Sequence, residues 1–129
     1  MTDAWRGVTP YIFYNDGIAA MDWMEHALGF RERMRTVDEN GQLRHGEMQR
    51  GDALVMLGSP PDYRNPKELG AVTVGLYLHV DDVDAVYRQA VDAGADVEGP
   101  PEDQPYGERI FGVKDPEGHQ WWVAKTISA

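Results

Sequence analysis

Two stretches of the chain carry the same punctuation in the same order. Asp16 to Phe30 reads DGIAAMDWMEHALGF, and Asp81 to Ala95 reads DDVDAVYRQAVDAGA. Each opens on aspartates, which accept hydrogen bonds from first-turn N–H groups and so start a helix. Each continues with apolar residues at helical spacing and reaches a glycine, which tolerates the left-handed conformation beyond a helix end. A strand-like run precedes each helix: Val8 to Tyr14 (VTPYIFY) and Val72 to Val80 (VTVGLYLHV). Three more follow the first helix, at Arg31 to Val37, Gln42 to Arg50 and Ala53 to Leu57. Ala95 to Glu98, Arg109 to Lys114 and Gln120 to Ile127 follow the second. The order is β-α-β-β-β, twice. A repeat of that length constrains the chain to an α+β fold of two like modules.

The turns support this order. Asn40-Gly41 is a strong two-residue hairpin signal, and Gly51-Asp52 marks the next reversal. In Asp115-Pro116-Glu117-Gly118, proline presets one turn position and glycine accepts positive φ. The hairpin it joins fixes which way the adjacent Trp121 and Trp122 face, because neighbouring strand residues point oppositely. Trp121 is expected beneath a helix and Trp122 on the other face. Pro10 marks the first strand as an edge or a bulge. The helical face of the first repeat runs through Ile18, Met21, Met24 or Ala20, and Ala27-Leu28. That of the second runs through Val83, Val86, Tyr87, Ala90 and Val91. One domain spans residues 1–129. The first module covers about 8–58, a stiff connector with Pro60, Pro61 and Pro66 covers 59–70, and the second module covers about 71–127. Met1 to Gly7 reads as a loose leader.

Composition narrows the function classes. The 129 residues include no cysteine, which excludes disulfides, thiolate nucleophiles and Cys-ligated zinc. No apolar run reaches the length a bilayer requires, so no membrane partner is expected and a soluble, cytoplasmic chain is. With 22 acidic and 12 basic residues the net charge is −10. That argues against nucleic acid, whose binding relies on phosphate neutralisation by Lys and Arg. It suits solubility, and would also steer a cationic ligand inward.

Val80-Asp81-Asp82-Val83-Asp84-Ala85-Val86, Ala93-Gly94-Ala95, Leu28-Gly29-Phe30 and Asp115-Pro116-Glu117-Gly118-His119 together resemble the vicinal oxygen chelate superfamily. That superfamily contains glyoxalase I, bleomycin-resistance proteins and extradiol dioxygenases. Tyr106-Gly107-Glu108-Arg109 leading to Gly118-His119-Gln120-Trp121 is most similar to its PhnB-like subgroup. The resemblance runs from Val8 to Ile127. It implies two βαβββ modules curling into a half-open barrel around a ligand cleft, and a homodimer in which the cleft is sometimes built across chains. It does not select among lyase, isomerase, dioxygenase and metal-free binder, because one fold hosts many chemistries.

Enzymes of that superfamily hold a divalent metal through His, Gln or Glu, one in the first and one in the last strand of each module. The resemblance places these positions here at Thr9, Gly75, Trp122 and near Val55, none of which is such a residue. No metal cofactor is therefore expected at them. His45, Glu47 and His79 form an alternative set, suited to a relocated metal or to acid–base catalysis; they also read as ordinary polar residues at a cleft rim. His119 reads as structural, its ring bonding to loop backbone, and His26 as a surface residue. Alternation from Thr9 and Gly75 sends Tyr11, Phe13 and Tyr77 toward the cleft, and Trp122 joins them. The expected ligand-binding set is thus Thr9, Tyr11, Phe13, His45, Glu47, Tyr77, His79 and Trp122. Such a surface suits sequestration of a small aromatic or cationic molecule. The alternative is a metal-dependent glyoxalase-like lyase, isomerase or dioxygenase built on His45, Glu47 and His79.

Overall fold

The computed structural model describes residues 7–128; the expected leader lies almost wholly outside them. The strands are β1 (Tyr11–Phe13), β2 (Arg31–Val37), β3 (Leu43–Arg50), β4 (Ala53–Gly58), β5 (Gly75–His79), β6 (Asp96–Val97), β7 (Glu102–Asp103), β8 (Glu108–Lys114) and β9 (Gln120–Thr126). The helices are α1 (Gly17–Leu28), α2 (Pro66–Leu69) and α3 (Val83–Asp92). One sheet has the order β1-β4-β3-β2. The other has β5-β9-β8-β6, with β7 also pairing β8. In each, the first strand lies parallel to the last and the remaining ladders are antiparallel. The fold is mixed α+β with two sheets and no closed barrel.

Both long helices begin as the sequence indicates. Asp16 Oδ1 accepts from Ala19 N, and Asp82 Oδ1 from Ala85 N, each at 3.0 Å. A cap of this kind is worth about 1 kcal/mol. Gly29 ends α1 in the left-handed region, whereas α3 closes on Ala93 in right-handed geometry and Gly94 turns the chain one residue later. The expected face of α1 is buried through Ala20, Met21, Met24, Ala27 and Leu28. On α3, Val83, Val86 and Ala90 are buried, but Val91 faces solvent.

Several strand limits differ from the pattern. β1 begins only at Tyr11, because Pro10 has no N–H to give a ladder, although its carbonyl accepts from Met56 N. β5 begins at Gly75, leaving residues 72–74 outside the strand. The β2–β3 connection is longer than a two-residue hairpin. Asp38 Oδ1 accepts from Asn40 N and Gln42 N, so an aspartate side chain organises the loop around Gly41. The connector contains the one-turn α2, begun by a capping box between Asn65 and Glu68. The loop at 99–105 contributes β7.

One core unites the modules. The inner faces of both sheets pack on α1 and α3, and Trp121, 2 % exposed, lies against Trp23 of α1 and Phe30 before β2. A Cβ at Gly46 would meet Met21 Sδ at 2.7 Å, so a side chain there would require Met21 to shift. The β8–β9 turn then clasps the first module. Tyr14 donates its phenolic O–H to buried Asp115 Oδ2 at 2.6 Å, and Trp121 Nε1 donates to the same oxygen at 3.3 Å. Glu117 accepts Asn15 N and Asp16 N at 2.7 and 2.8 Å, just ahead of α1.

Tyr14→Phe removes the shortest bond in this clasp, and hydrogen bonds to charged groups contribute about 1.5–3 kcal/mol. Denaturant unfolding is expected to show a loss of that size. Burial, followed by the charge and hydrogen bond of Asp115, holds the Tyr14 phenol well above its ordinary value. The folded chain therefore keeps a proton that the unfolded chain releases above about pH 10. Stability from this residue is complete below that pH and falls by about 1.4 kcal/mol per pH unit above it. The alkaline limb of stability against pH should be shallower in Tyr14→Phe; an unchanged limb would refute the assignment.

Candidate functional site

Alternation along the strands sorts each sheet into a helix-facing side and an outward side. On the first sheet, Tyr11 lies opposite Met56, Met56 opposite Glu47, and Glu47 opposite Met34. These residues and Phe13 face outward. On the second, Tyr77 lies opposite Trp122, and Trp122 opposite Gly112. Tyr11, Phe13 and Tyr77 are 47 %, 45 % and 44 % exposed, an unusual display of aromatic surface.

The residues expected to form one cluster form two. Around the first sheet, the Tyr11 and Phe13 rings meet at a tilt of 57° with 5.4 Å between ring centres, and Phe13 meets Tyr63 edge-on at 5.9 Å. His45 Nε2 bonds Glu47 Oε2 at 2.9 Å, and its Nδ1 lies 3.4 Å from the Tyr11 hydroxyl. Around the second sheet, Tyr77 lies 5.1 Å from the His79 ring and 6.4 Å from Trp122. His79 Nε2 bonds Glu108 Oε1 at 3.0 Å, and Glu108 Oε2 accepts from the Thr126 hydroxyl at 2.6 Å. The proposed set of His45, Glu47 and His79 is therefore not assembled. Each histidine has a carboxylate from its own sheet, because the two strands that carry them belong to different sheets.

The electrostatics of the second group follow its hydrogen bonds. The Thr126 hydroxyl foremost, and then His79, hold the Glu108 carboxyl below the usual carboxylate range. Burial, and then the hydrogen bond with Tyr106, pushes the Tyr77 phenol up to about 12. At neutral pH this corner has an anionic Glu108 beside a protonated Tyr77.

Two openings run between the first strands of the sheets. One, of about 520 Å3, is lined by Tyr11, Phe13, Tyr63, Val72, Val74, Gly75 and His119, among others. The second, of about 390 Å3, reaches Leu54 and Tyr77 and shares Val8, Pro10, Gly75 and Leu76 with the first. Gly75 has no side chain because the ring of Trp122 lies against its backbone; a Cβ there would collide with that ring. Thr9 is half-buried between Val8 and Pro10.

Two sequence expectations need correction. The sequence offset that carries Asp16 onto Asp82 also carries Tyr11 onto Tyr77. Register then makes Met56, rather than Val55, the counterpart of Trp122; Val55 is buried on the helix side. His119 bonds side chains rather than loop backbone. Its Nδ1 lies 3.1 Å from Asp115 Oδ1 and its Nε2 3.2 Å from the Tyr63 hydroxyl. His26 is exposed, its ring bonded to Asp22 O. Thr9, Met56, Gly75 and Trp122 offer a hydroxyl, a thioether, nothing and an N–H donor. That donor set does not fit a hard or borderline divalent metal. Among the described residues, no three His, Asp or Glu side chains converge as a metal cage.

Tyr63, Glu108 and Asp115 were not singled out as site residues from the sequence. Tyr63 lies in an irregular connector with no period to read. Glu108 was within reach: alternation from Trp122 through the β8–β9 pairing places it outward, opposite Thr126.

Residues 8–123 match the family described as the Glyoxalase/Bleomycin resistance protein/Dioxygenase superfamily. The uncharacterized protein Mb0911c of Mycobacterium bovis is 31 % identical over 126 residues, covering 93 % of this chain and 83 % of its own length. Among solved structures, TioX from Micromonospora sp. ML1 superposes with a TM-score of 0.75 at 30 % identity, covering 96 % of this chain and 98 % of TioX. A bleomycin resistance determinant encoded on the transposon Tn5 superposes with a TM-score of 0.73 at 23 % identity, covering 95 % and 98 %. At that identity the last likeness shows the fold. With the family description spanning most of the chain and both sheets in the matching arrangement, the protein belongs to the Glyoxalase/Bleomycin resistance protein/Dioxygenase superfamily.

Proposed function

We propose that the protein is a metal-independent binder of the bleomycin-resistance kind, which sequesters a small planar, cationic molecule. One observation carries the reading. The outward aromatic residues Tyr11, Phe13, Tyr77 and Trp122 lie at or beside the positions where the family's enzymes ligate metal, and none of those positions holds a His, Gln or Glu here. Rings at such spacings offer a flat guest contact area with few torsions to freeze, and their faces attract a cation. Glu47 and Glu108 border the two aromatic groups, and the net charge of −10 adds a long-range field of the right sign.

A second copy of the chain completes the site in this reading. Val8 and Val74 beside the larger groove are 95 % and 69 % exposed, and Leu69 of α2 is 50 % exposed. β1 and β5 each pair on one side within the described residues, so their outer edges remain open beside this apolar rim. A homodimer would cover both and close the groove over its guest. The chain has no helix long and apolar enough to cross a membrane among the described residues. Action in the cytoplasm is part of the proposal.

Titration with acriflavine, a planar cation, is expected to quench tryptophan emission and to be unaffected by chelator or by added zinc. Tyr11→Ala/Phe13→Ala should weaken binding roughly tenfold, the scale of one to two lost aromatic contacts. Binding that requires a metal would overturn the reading. Sedimentation should give a dimer for the natural chain and a monomer for Val74→Glu, with weaker acriflavine binding in the variant. A natural chain that sediments as a monomer at binding concentrations would remove the second copy from the site.

A further inference from the structure

The larger groove has a polar wall that the aromatic inventory leaves out. The carboxylate of Asp115 is buried and accepts from five donors: Tyr14 and Trp121 on one oxygen, and Glu117 N, His119 N and His119 Nδ1 on the other. A carboxylate is an acceptor, so the Nδ1 of His119 must be the donor. In the neutral form of such a ring Nε2 has a lone pair, to which the Tyr63 hydroxyl donates across 3.2 Å. Once its proton is committed to His119, the Tyr63 oxygen has only lone pairs left for a ligand. Tyr63 and His119 both line the 520 Å3 groove. On the opposite side, Tyr11 repeats the pattern more loosely, its hydroxyl 3.4 Å from His45 Nδ1 while Nε2 faces Glu47.

We propose that Asp115, His119 and Tyr63 form a polarity-setting chain that makes the groove select planar ligands bearing an O–H or N–H donor, such as phenols, and reject their anions. The inference rests on the small-molecule reading above and specifies which guests that site takes. Tyr63 is the contact residue; His119 and Asp115 position it. The Phe13 ring, edge-on to Tyr63, forms the adjoining flat wall. Burial, together with the charges of Glu117, Asp115 and Glu68, raises the Tyr63 phenol above its ordinary value, so it remains protonated and its proton stays with His119. The titratable groups around His119 are Asp115, Tyr63, Tyr14 and Glu117. Protonation of His119 would reverse the Tyr63 hydrogen bond, so the selectivity belongs to the pH range in which the imidazole is neutral.

The test compares three molecules of one shape at neutral pH: p-cresol, 4-methylanisole, which lacks the donor, and 4-methylbenzoate, which is an anion. Dissociation constants are read by calorimetry on the natural chain and on Tyr63→Phe. The natural chain should bind p-cresol roughly tenfold more tightly than 4-methylanisole, the scale of one hydrogen bond, and 4-methylbenzoate weakest. Tyr63→Phe should bring the cresol-to-anisole ratio to about one while still binding 4-methylanisole. Equal binding of p-cresol and 4-methylanisole by the natural chain would overturn the polarity and leave the small-molecule reading standing. So would an unchanged ratio in Tyr63→Phe. Failure of both neutral molecules to bind would overturn this inference, and failure of acriflavine as well would remove the small-molecule reading with it.

Discussion

The buried carboxylate of Asp115 is the point on which the rest of the molecule depends. It lies in the turn between β8 and β9, yet its shortest bond is to Tyr14, at the end of the first strand of the other module. Taking a carboxylate out of water costs several kcal/mol unless its lone pairs are filled. Here two side-chain donors and three donors from its own turn and the neighbouring His119 fill them. Glu117, two residues on, accepts the N–H groups of Asn15 and Asp16, so the start of α1 is fixed by the same turn. The two sheets are thereby held with β1 and β5 near one another, and the groove between them is a consequence. The same carboxylate orients His119 and, through it, Tyr63. Stability and the chemistry of the groove wall therefore share one group.

The second constraint is that each sheet has one face to give to the helices. A four-stranded sheet beside a single long helix buries its inner residues and leaves the outer ones to water. In most such sheets the outer face is polar. Here it carries Tyr11, Phe13, Met34, Tyr77 and half-buried Trp122, with histidine–carboxylate pairs among them. Exposed aromatic area of this kind is expensive to keep, and its retention on both repeats argues for a covering molecule, whether a guest or a second copy of the chain.

Much of this was legible in the sequence because it rests on local chemistry. The capping aspartates, the alternation of Tyr11 and Phe13, and the opposite facing of Trp121 and Trp122 each follow from a period or a turn. What was not legible depends on contacts distant in sequence. Tyr14 and Asp115 are 101 positions apart, and nothing near either residue indicates the other. The separation of His45 from His79 is of the same kind. His45 was placed on one strand face with Glu47 and His79 on one with Tyr77, but only the relative placement of the two sheets decides whether those faces meet. The position read as near Val55 resolves to Met56 by register: a single residue moves a side chain from the groove to the core. The loop at Asp38 escaped because Asn40-Gly41 satisfied the simpler rule, while the organising group was a side chain two residues earlier.

The chemistry of the wall bears on whether such a site binds or transforms its guest. Catalysis requires groups that interact more strongly with a transition state than with the bound molecule. The polar groups here are already engaged in the ground state: His45 with Glu47, His79 with Glu108, and His119 with both Asp115 and Tyr63. A histidine bonded at both nitrogens has no free lone pair to offer a substrate, so in the proposed site His119 would act on a ligand only through the Tyr63 oxygen. That oxygen is a modest acceptor on a protonated phenol, which suits recognition of a donor better than abstraction of a proton. In the proposed reading, aromatic walls with fixed acceptors would hold a guest evenly along its length, and uniform holding is what sequestration needs.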